Sequence, residues 1–179
     1  PAIKGIILTV PNEHHLPVAE QVAKAGKQVY TEKPIANTLE SGLAIEALQE
    51  QYGIQVMVGH SARLLKGVRM MREAMDNGEL GRVVFMEANF SNERALEITP
   101  DTWRWYRDKA PGGPLSQLAI HQFDTLHYLG GEIDSVASVA SKLSPVGAEV
   151  DDQSMTTLKF SDGKLAYIGS SWTSPGIFS

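Results

Sequence analysis

One helix-sized segment of the sequence has three polar side chains at a spacing that would place them together. Gln117, His121 and Asp124 stand at positions i, i+4 and i+7, which predicts a single ridge along an α-helix. The residues around them are largely apolar, so the helix should be buried. Such a ridge either satisfies its own hydrogen bonds or faces a site. Because an imidazole titrates near neutral pH, His121 would bring proton transfer to that site.

The limits of this helix are predicted by its flanking residues. Gly112, Gly113 and Pro114 precede it, and Gly130 and Gly131 follow it. Proline suits a first helical turn, and glycine suits the position after a last one. Taken alone, the ridge favours a structural role for His121 as a hydrogen-bonded core histidine. The rest of the chain changes that balance.

Three further polar residues follow predicted strands. The strands are expected at residues 3–10, 28–30 and 54–59, with helices at residues 16–23 and 39–52 between them. This alternation is typical of a doubly wound parallel sheet buried on both faces. Ligands bind at the carboxyl ends of the strands in such sheets. His15, Lys33 and His60 lie just beyond those ends, although a structural or solvent-facing role is expected for His60.

The pattern changes in the second part of the chain. A helix is expected at residues 64–77, and alternating strands at residues 83–90, 135–143, 154–160 and 164–172. Asp162 and Gly163 between the last two strands indicate a two-residue hairpin. The chain is therefore predicted to be α/β at residues 1–61, followed by an α+β domain at residues 62–179. That second domain should have an open, mainly antiparallel sheet.

Composition excludes several classes of function. The 179 residues have a net charge of −5 and no cysteine. An acidic chain is a poor partner for nucleic acid or anionic membranes, and disulfides, thiolate nucleophiles and cysteine-bound zinc are excluded. No metal site is expected at His121, Asp124 and His127, because only the first two share a helix face. No signal peptide or bilayer-spanning run is evident, so we expect a cytoplasmic protein.

Short motifs run along the whole chain in a definite order. Each is weak alone, but their order and spacing together form a specific signal. They resemble the motifs of the glucose–fructose oxidoreductase/inositol dehydrogenase (Gfo/Idh/MocA) family of NAD(P)-dependent oxidoreductases. The motifs are Pro11-Asn12 with His15, Thr31-Glu32-Lys33-Pro34, Gly59 with Arg63, Trp103-Arg104, Gly112-Gly113, His121 with Asp124, Val150-Asp151-Asp152, and Ser170-Ser171-Trp172.

The resemblance implies an enzyme that moves a hydride between the nicotinamide of NAD or NADP and a hydroxyl or carbonyl carbon. The substrate would be a sugar, a polyol or a similar small molecule. His121 would be the acid/base group, and Lys33 would hold the reacting oxygen. Alternatively, Lys33 is an ordinary loop lysine and Asp124 only orients its neighbours. The cofactor-binding residues implied are Pro11, Asn12, His15, Glu32 and Lys33, and the substrate-binding residues are Arg104, Gln117 and Asp124.

The resemblance also implies features beyond the two ends of this chain. A Rossmann half with a Gly-x-Gly-x-x-Gly phosphate loop is expected before Pro1, since no such motif occurs in these residues. Residues 1–61 would then be the carboxyl-terminal part of the dinucleotide-binding domain, and the second domain would be cut at Ser179. The exposed face of the second sheet would form a homodimer or homotetramer.

One departure from the family pattern concerns the expected proton transfer. The family usually has aspartate where this chain has Gln117, and glycine where it has Ala119. A carboxylate one turn from an imidazole raises its basicity, whereas a neutral amide can only hydrogen-bond. This departure fits a member with altered chemistry, a member with a tightly held cofactor, or a non-catalytic relative that binds a ligand or regulates. A separate alternative is an interaction domain that pairs through its exposed sheet.

Overall fold

Two β-sheets organise the chain, one in each part. The computed structural model describes residues 3–175, so the expected chain ends at Pro1 and Ser179 lie outside the described residues. The first sheet is parallel, in the order β1-β2-β3, and the second is mixed, in the order β4-β7-β6-β5. The strands are β1 (Gly5–Leu8), β2 (Gln28–Thr31), β3 (Val56–Val58), β4 (Phe85–Asn89), β5 (Ile133–Ser141), β6 (Gln153–Phe160) and β7 (Leu165–Ser171).

The predicted helices occur in the predicted order, and one short helix, at Arg94–Glu97, was not predicted. The second helix has its predicted bounds because Thr38 accepts a hydrogen bond from the Ser41 amide at 3.1 Å, and Gly53 adopts a left-handed conformation at the other end. The α-helices are α1 (His15–Lys24), α2 (Leu39–Tyr52), α3 (Lys66–Asp76), α4 (Arg94–Glu97) and α5 (Ile120–Gly130). Short 3₁₀ turns occur at Asn12–His14, Ser61–Leu64 and Trp103–Trp105.

The first sheet is covered on one face. Helices α1 and α2 share a buried core with this sheet, in which Leu8, Val29 and Ile45 are almost inaccessible. Ile7 and Met57 point the other way and are 69% and 59% exposed. Both helices between these strands pack on the same side, so within residues 3–175 the other face of the sheet is exposed.

The second sheet has a helix on one face and an open opposite face. The β5–β6 and β6–β7 pairs are antiparallel, and Gly163 makes the predicted hairpin turn with a φ of 90°. The β4–β7 pair is parallel. Leu126 of α5 packs against Leu158 and Ile168 of this sheet. The α+β architecture with an open sheet is confirmed.

The segment predicted as one continuous helix begins with a π-helical turn. This turn spans Leu115–Ala119 and leads into α5. Gly113, just before the turn, has a φ of 46°, and a Cβ atom there would lie 2.0 Å from the Asp151 carbonyl oxygen. Only glycine permits this approach, so the turn is held tightly against the loop before β6.

The helices are too short or too polar to cross a bilayer. Within residues 3–175, none combines the length and the apolar character that a membrane span needs.

Candidate active site

A cavity of about 220 Å³ lies at the carboxyl ends of β1 and β2. Residues from the second part of the chain close it, as predicted for ligand binding at this edge of a parallel sheet. It contains all five residues expected to bind a cofactor and two of the three expected to bind substrate. The lining residues are Thr9, Val10, Pro11, Asn12, His15, Glu32, Lys33, Trp103, Arg104 and Gln117. We call it the nicotinamide-side cavity.

Lys33 connects the first sheet to the turn before α5. It lies in the loop that leaves β2, and its peptide bond to Pro34 is cis. Its Nζ atom donates a hydrogen bond of 2.9 Å to the Gln117 carbonyl oxygen. Burial lowers the pKa of Lys33, Glu32 opposes that shift, and the charge of Arg104 adds to it. The Lys33 side chain is therefore half-buried, and its hydrogen bond to Gln117 fixes the position of its Nζ atom.

The His15 ring contacts backbone carbonyl groups near Lys33 with both of its nitrogen atoms. It is 1% exposed, and its Nδ1 atom lies 3.1 Å from the Pro34 carbonyl oxygen and 3.2 Å from that of Ile35. Its Nε2 atom lies 3.0 Å from the Val10 carbonyl oxygen. The ring thus joins the end of β1 to the loop after Lys33. His15 also lines the nicotinamide-side cavity, where it was expected. Local sequence alone has no signal for its positioning role.

Asn12 has an unused donor in the nicotinamide-side cavity. Its side chain is 4% exposed, and its Nδ2 atom has no hydrogen-bond partner among residues 3–175. A buried amide without a partner is costly unless a ligand or water satisfies it. The nicotinamide end of a dinucleotide has amide and hydroxyl oxygens that could accept this hydrogen bond, so the residues present fit such a group.

His121 is a half-buried imidazole in reach of the charge on Lys33. Burial, followed by Lys33 and His60, lowers the pKa of His121 to about 4. Its ring lies 5.7 Å from the Phe90 ring, centroid to centroid. The imidazole is therefore neutral near pH 7 and can accept a proton.

Asp124 is held by Arg63 instead of lying beside Gln117. Its carboxylate, 6% exposed, accepts a 2.8 Å hydrogen bond from Arg63 Nε and a second bond from Nη2. Gln117 lines the nicotinamide-side cavity, whereas Asp124 lines a different cavity with His60 and His127. Gln117 and Asp124 therefore line different cavities. Gln117 lies within the π-helical turn, whose wider winding changes the angular spacing expected for an α-helix.

His60 lies beside this ion pair. Its Nδ1 atom lies 3.9 Å from Asp124 Oδ1. This His60 Nδ1 atom has no hydrogen-bond partner within the described part of the chain. Burial is the main reason that the pKa of His60 is lowered, although Asp124 opposes the shift. Within residues 3–175, no group of three or more histidine, aspartate or glutamate side chains is arranged to hold a metal ion.

A second cavity, of about 170 Å³, adjoins the first. Lys33, Arg104 and Gln117 line both cavities, so these residues form the boundary between them. We call it the substrate-side cavity, because its other walls come from the second part of the chain. None of these wall residues was predicted to belong to the site, and only Trp172 lies in a motif that carries the family resemblance. They are Asn92, Arg94, Leu118 and Trp172.

Arg104 occupies a fixed place on this boundary. Its guanidinium carbon lies 4.2 Å from the centre of the Trp103 ring, which is a cation–π contact. Burial, followed by the charge of Arg94, lowers the pKa of Arg104. The predicted placement of Arg104 and Gln117 near Lys33 thus agrees with the geometry.

Solved structures resemble this one over nearly the whole chain. A candidate NADPH-dependent oxidoreductase from Desulfitobacterium hafniense is 42% identical, with a TM-score of 0.90 over 97% of this chain and 50% of its own. Levoglucosan dehydrogenase in complex with NADH and levoglucosan is 28% identical, with a TM-score of 0.88 over 96% of this chain and 48% of its own.

Curated sequences point the same way. Levoglucosan dehydrogenase of Pseudarthrobacter phenanthrenivorans is 27% identical over 94% of this chain and 49% of its own length. The chain thus spans about half the length of the relatives it matches. Two family models cover it: an oxidoreductase family with an NAD-binding Rossmann fold at residues 1–60, and the GFO/IDH/MocA C-terminal domain at residues 68–177. The chain therefore belongs to the GFO/IDH/MocA family of oxidoreductases.

Proposed function

We propose that the protein containing this chain is an NAD(P)-dependent oxidoreductase that acts on a carbohydrate-like hydroxyl or carbonyl group. The observation behind this proposal is that two adjoining cavities share Lys33, one on the Rossmann side and one on the side of the second sheet. A cofactor and a substrate bound in them would meet at that lysine. The sugar dehydrogenase named among the relatives supports the substrate class.

The nicotinamide-side cavity would hold the cofactor, which when bound supplies the hydride acceptor or donor. Asn12 would donate its unused amide hydrogen to the cofactor, and Pro11 and Glu32 would form adjacent walls. His15 would keep the loop after Lys33 in place through its three backbone contacts. Lys33 would close the cavity toward the substrate.

Lys33 and His121 would divide the work on the reacting oxygen. Lys33 would donate a hydrogen bond to that oxygen and stabilise negative charge on it. The neutral His121 would accept the hydroxyl proton during oxidation and return it during reduction. Arg104 and Gln117 would contact the substrate from the cavity boundary. Asp124, bound to Arg63, would orient α5 rather than touch the substrate.

Three broader expectations accompany this proposal. The boundary between the two domains would lie between residues 61 and 62, where the 3₁₀ turn Ser61–Leu64 follows β3. The open face of the second sheet would form a homodimer or homotetramer. A cytoplasmic location stays a prediction.

Substitution of Lys33 and His121 tests the proposal. In the complete protein, Lys33→Met and His121→Ala should each lower sugar-dependent cofactor turnover by roughly 10²–10⁴-fold. Calorimetry should show NADH or NADPH binding within about threefold of the unsubstituted protein, because neither change removes a cofactor phosphate contact. The exposed Lys66 gives the matched control, Lys66→Met, which should retain turnover.

The second candidate is a non-catalytic ligand-binding relative. The neutral Gln117, buried at the boundary between the cavities, favours it because no carboxylate there can share a proton with His121. This candidate would replace the first if a panel of sugars and polyols supports no turnover with NAD or NADP. In that case His121→Ala should leave ligand binding unchanged.

A further inference from the structure

We infer that the substrate has an anionic group, a carboxylate or a phosphate, which binds in the substrate-side cavity between Arg94 and Arg104. This inference rests on the proposed function and narrows its substrate class to acidic sugars. It assigns Arg94, which no motif in the sequence marks, to substrate recognition.

The substrate-side cavity is strongly cationic. Lys33, Arg94 and Arg104 line it, together with two amides and two apolar side chains, and none of the described lining residues is a carboxylate. The chain as a whole has a net charge of −5. A cationic cavity in an acidic protein selects for anions, because its field attracts them and repels cations.

Arg104 has no anionic partner of its own. Within residues 3–175, the structure shows no hydrogen bond or ion pair of its guanidinium, which is held by stacking on Trp103. Stacking leaves the N–H donors at the rim of the guanidinium plane free. Those donors form a planar fork that matches a carboxylate or phosphate.

Arg94 is paired only weakly. Its Nη1 atom lies 3.6 Å from Glu97 Oε2, and both side chains are at least half exposed. Exposed ion pairs of this kind contribute little, so Arg94 can turn toward a ligand at small cost.

The three cations also act on one another. Arg94 lowers the pKa of Arg104, and Arg104 lowers the pKa of Lys33. Such mutual repulsion disfavours the empty arrangement, and a bound anion would relieve it. Because Lys33 lies on the boundary with the nicotinamide-side cavity, the reacting carbon would lie near Lys33. The anionic group would then extend toward Arg94.

Matched sugars test this inference by direct binding. Glucose, glucuronate and glucose 6-phosphate would be titrated into the complete protein by calorimetry, with NADH or NADPH present. At least one acid should bind about 10-fold or more tightly than glucose, since hydrogen bonds to charged groups are worth that much. Preference for glucuronate would identify a carboxylate site, and preference for glucose 6-phosphate a phosphate site. Equal or weaker binding of both acids would overturn the inference.

A charge-neutralising variant locates the effect. Arg94→Gln should reduce the preference for the acid over glucose about 10-fold. Arg69→Gln makes the same chemical change at an exposed position of α3 and should keep the preference. An unchanged preference in Arg94→Gln would contradict the assignment of Arg94.

The two proposals fail separately. Tight binding of an acid without any cofactor turnover would support this inference and contradict the oxidoreductase. Turnover of neutral sugars with no preference for acids would support the oxidoreductase and contradict this inference.

Discussion

Burial of charged side chains sets the chemistry of single residues in the site. Lys33 and His121 both have lowered pKa values, and burial is the largest cause for each. The lowered pKa gives each of the two side chains a different role. Lys33, whose ordinary pKa is 10.5, supplies a hydrogen-bond donor, whereas His121, with a pKa of about 4, supplies a neutral acceptor. In the proposed mechanism, Lys33 lowers the pKa of the substrate hydroxyl, because a base with a pKa of about 4 is by itself a weak proton acceptor at pH 7.

Gln117→Asp should raise the pKa of His121 above about 4, because a nearby negative charge stabilises the imidazolium. In the proposed mechanism the neutral base is the active form in oxidation, so kcat/KM should fall as pH drops through this pKa. The fall should therefore begin at a higher pH in the variant. A pH profile of kcat/KM in the complete protein measures the change.

Gln117→Asn gives the matched control, since asparagine has the shape of aspartate without its charge. Its profile should keep the acidic limb of the unsubstituted protein. If Gln117→Asp also keeps that limb while circular dichroism shows an intact fold, residues 117 and 121 are not electrostatically coupled.

At the scale of elements, the π-helical turn Leu115–Ala119 decides which side chains meet. It presents the Gln117 carbonyl to Lys33, and α5 then directs Asp124 to Arg63. The turn depends on Gly113, whose backbone passes against the loop before β6. A substitution of Gly113 or of Arg63 should therefore affect the site although neither residue lines its cavities.

Gly113→Ala should destabilise the protein by about 2 kcal/mol or more, because the added Cβ would meet the Asp151 carbonyl oxygen at a strained φ. Urea denaturation measures this loss. Gly67→Ala is the control, since Gly67 lies in α3, where an added Cβ would point into open space. Equal stability of the two variants would contradict the role given to Gly113.

Arg63→Met should cost about 2 kcal/mol of unfolding free energy, because it leaves the buried carboxylate of Asp124 without its charged hydrogen bonds. Thermal and urea denaturation would both show the loss. In the control Lys24→Met, only an exposed pair with Glu20 is removed, and the change should be within about 0.5 kcal/mol. A loss no larger than the control's would show that Asp124 is stabilised by other contacts.

At the scale of the whole molecule, each sheet has one covered and one open face. On the open face of the second sheet, Val139, Met155 and Leu165 are 68%, 57% and 51% exposed, and Val139 pairs directly with Met155. Apolar residues grouped on an open sheet face are typical of a protein interface. This geometry supports the proposed homo-oligomer.

Val139→Lys should dissociate that oligomer, since a charge would be buried without a partner at the interface. Sedimentation of the complete protein at tens of micromolar (on the order of a usual dimer test) would show a smaller species. Leu39→Lys changes a similarly exposed apolar residue in the first half and should leave the assembly intact. A monomeric unsubstituted protein would contradict the interface.

Local order in the sequence was enough to predict most elements. The α2 helix has its predicted bounds because its cap residues, Thr38 and Gly53, are sequence neighbours of the helix they end. The hairpin at Gly163 follows from the same kind of local chemistry. The motif order likewise predicted that Lys33, Arg104 and Gln117 belong near one site, and the cavities agree.

Contacts between distant residues were decided only by the tertiary structure. The bond between Arg63 and Asp124 joins residues 61 positions apart, and that between Lys33 and Gln117 joins residues 84 apart. Periodicity cannot reveal a π-helical turn, because that turn depends on a glycine packed against a remote loop. Periodicity also cannot reveal that Arg94 and Arg104 line one cavity, because only the folded chain brings them together. Their electrostatic interaction then follows from this distance in space and not from their separation along the chain.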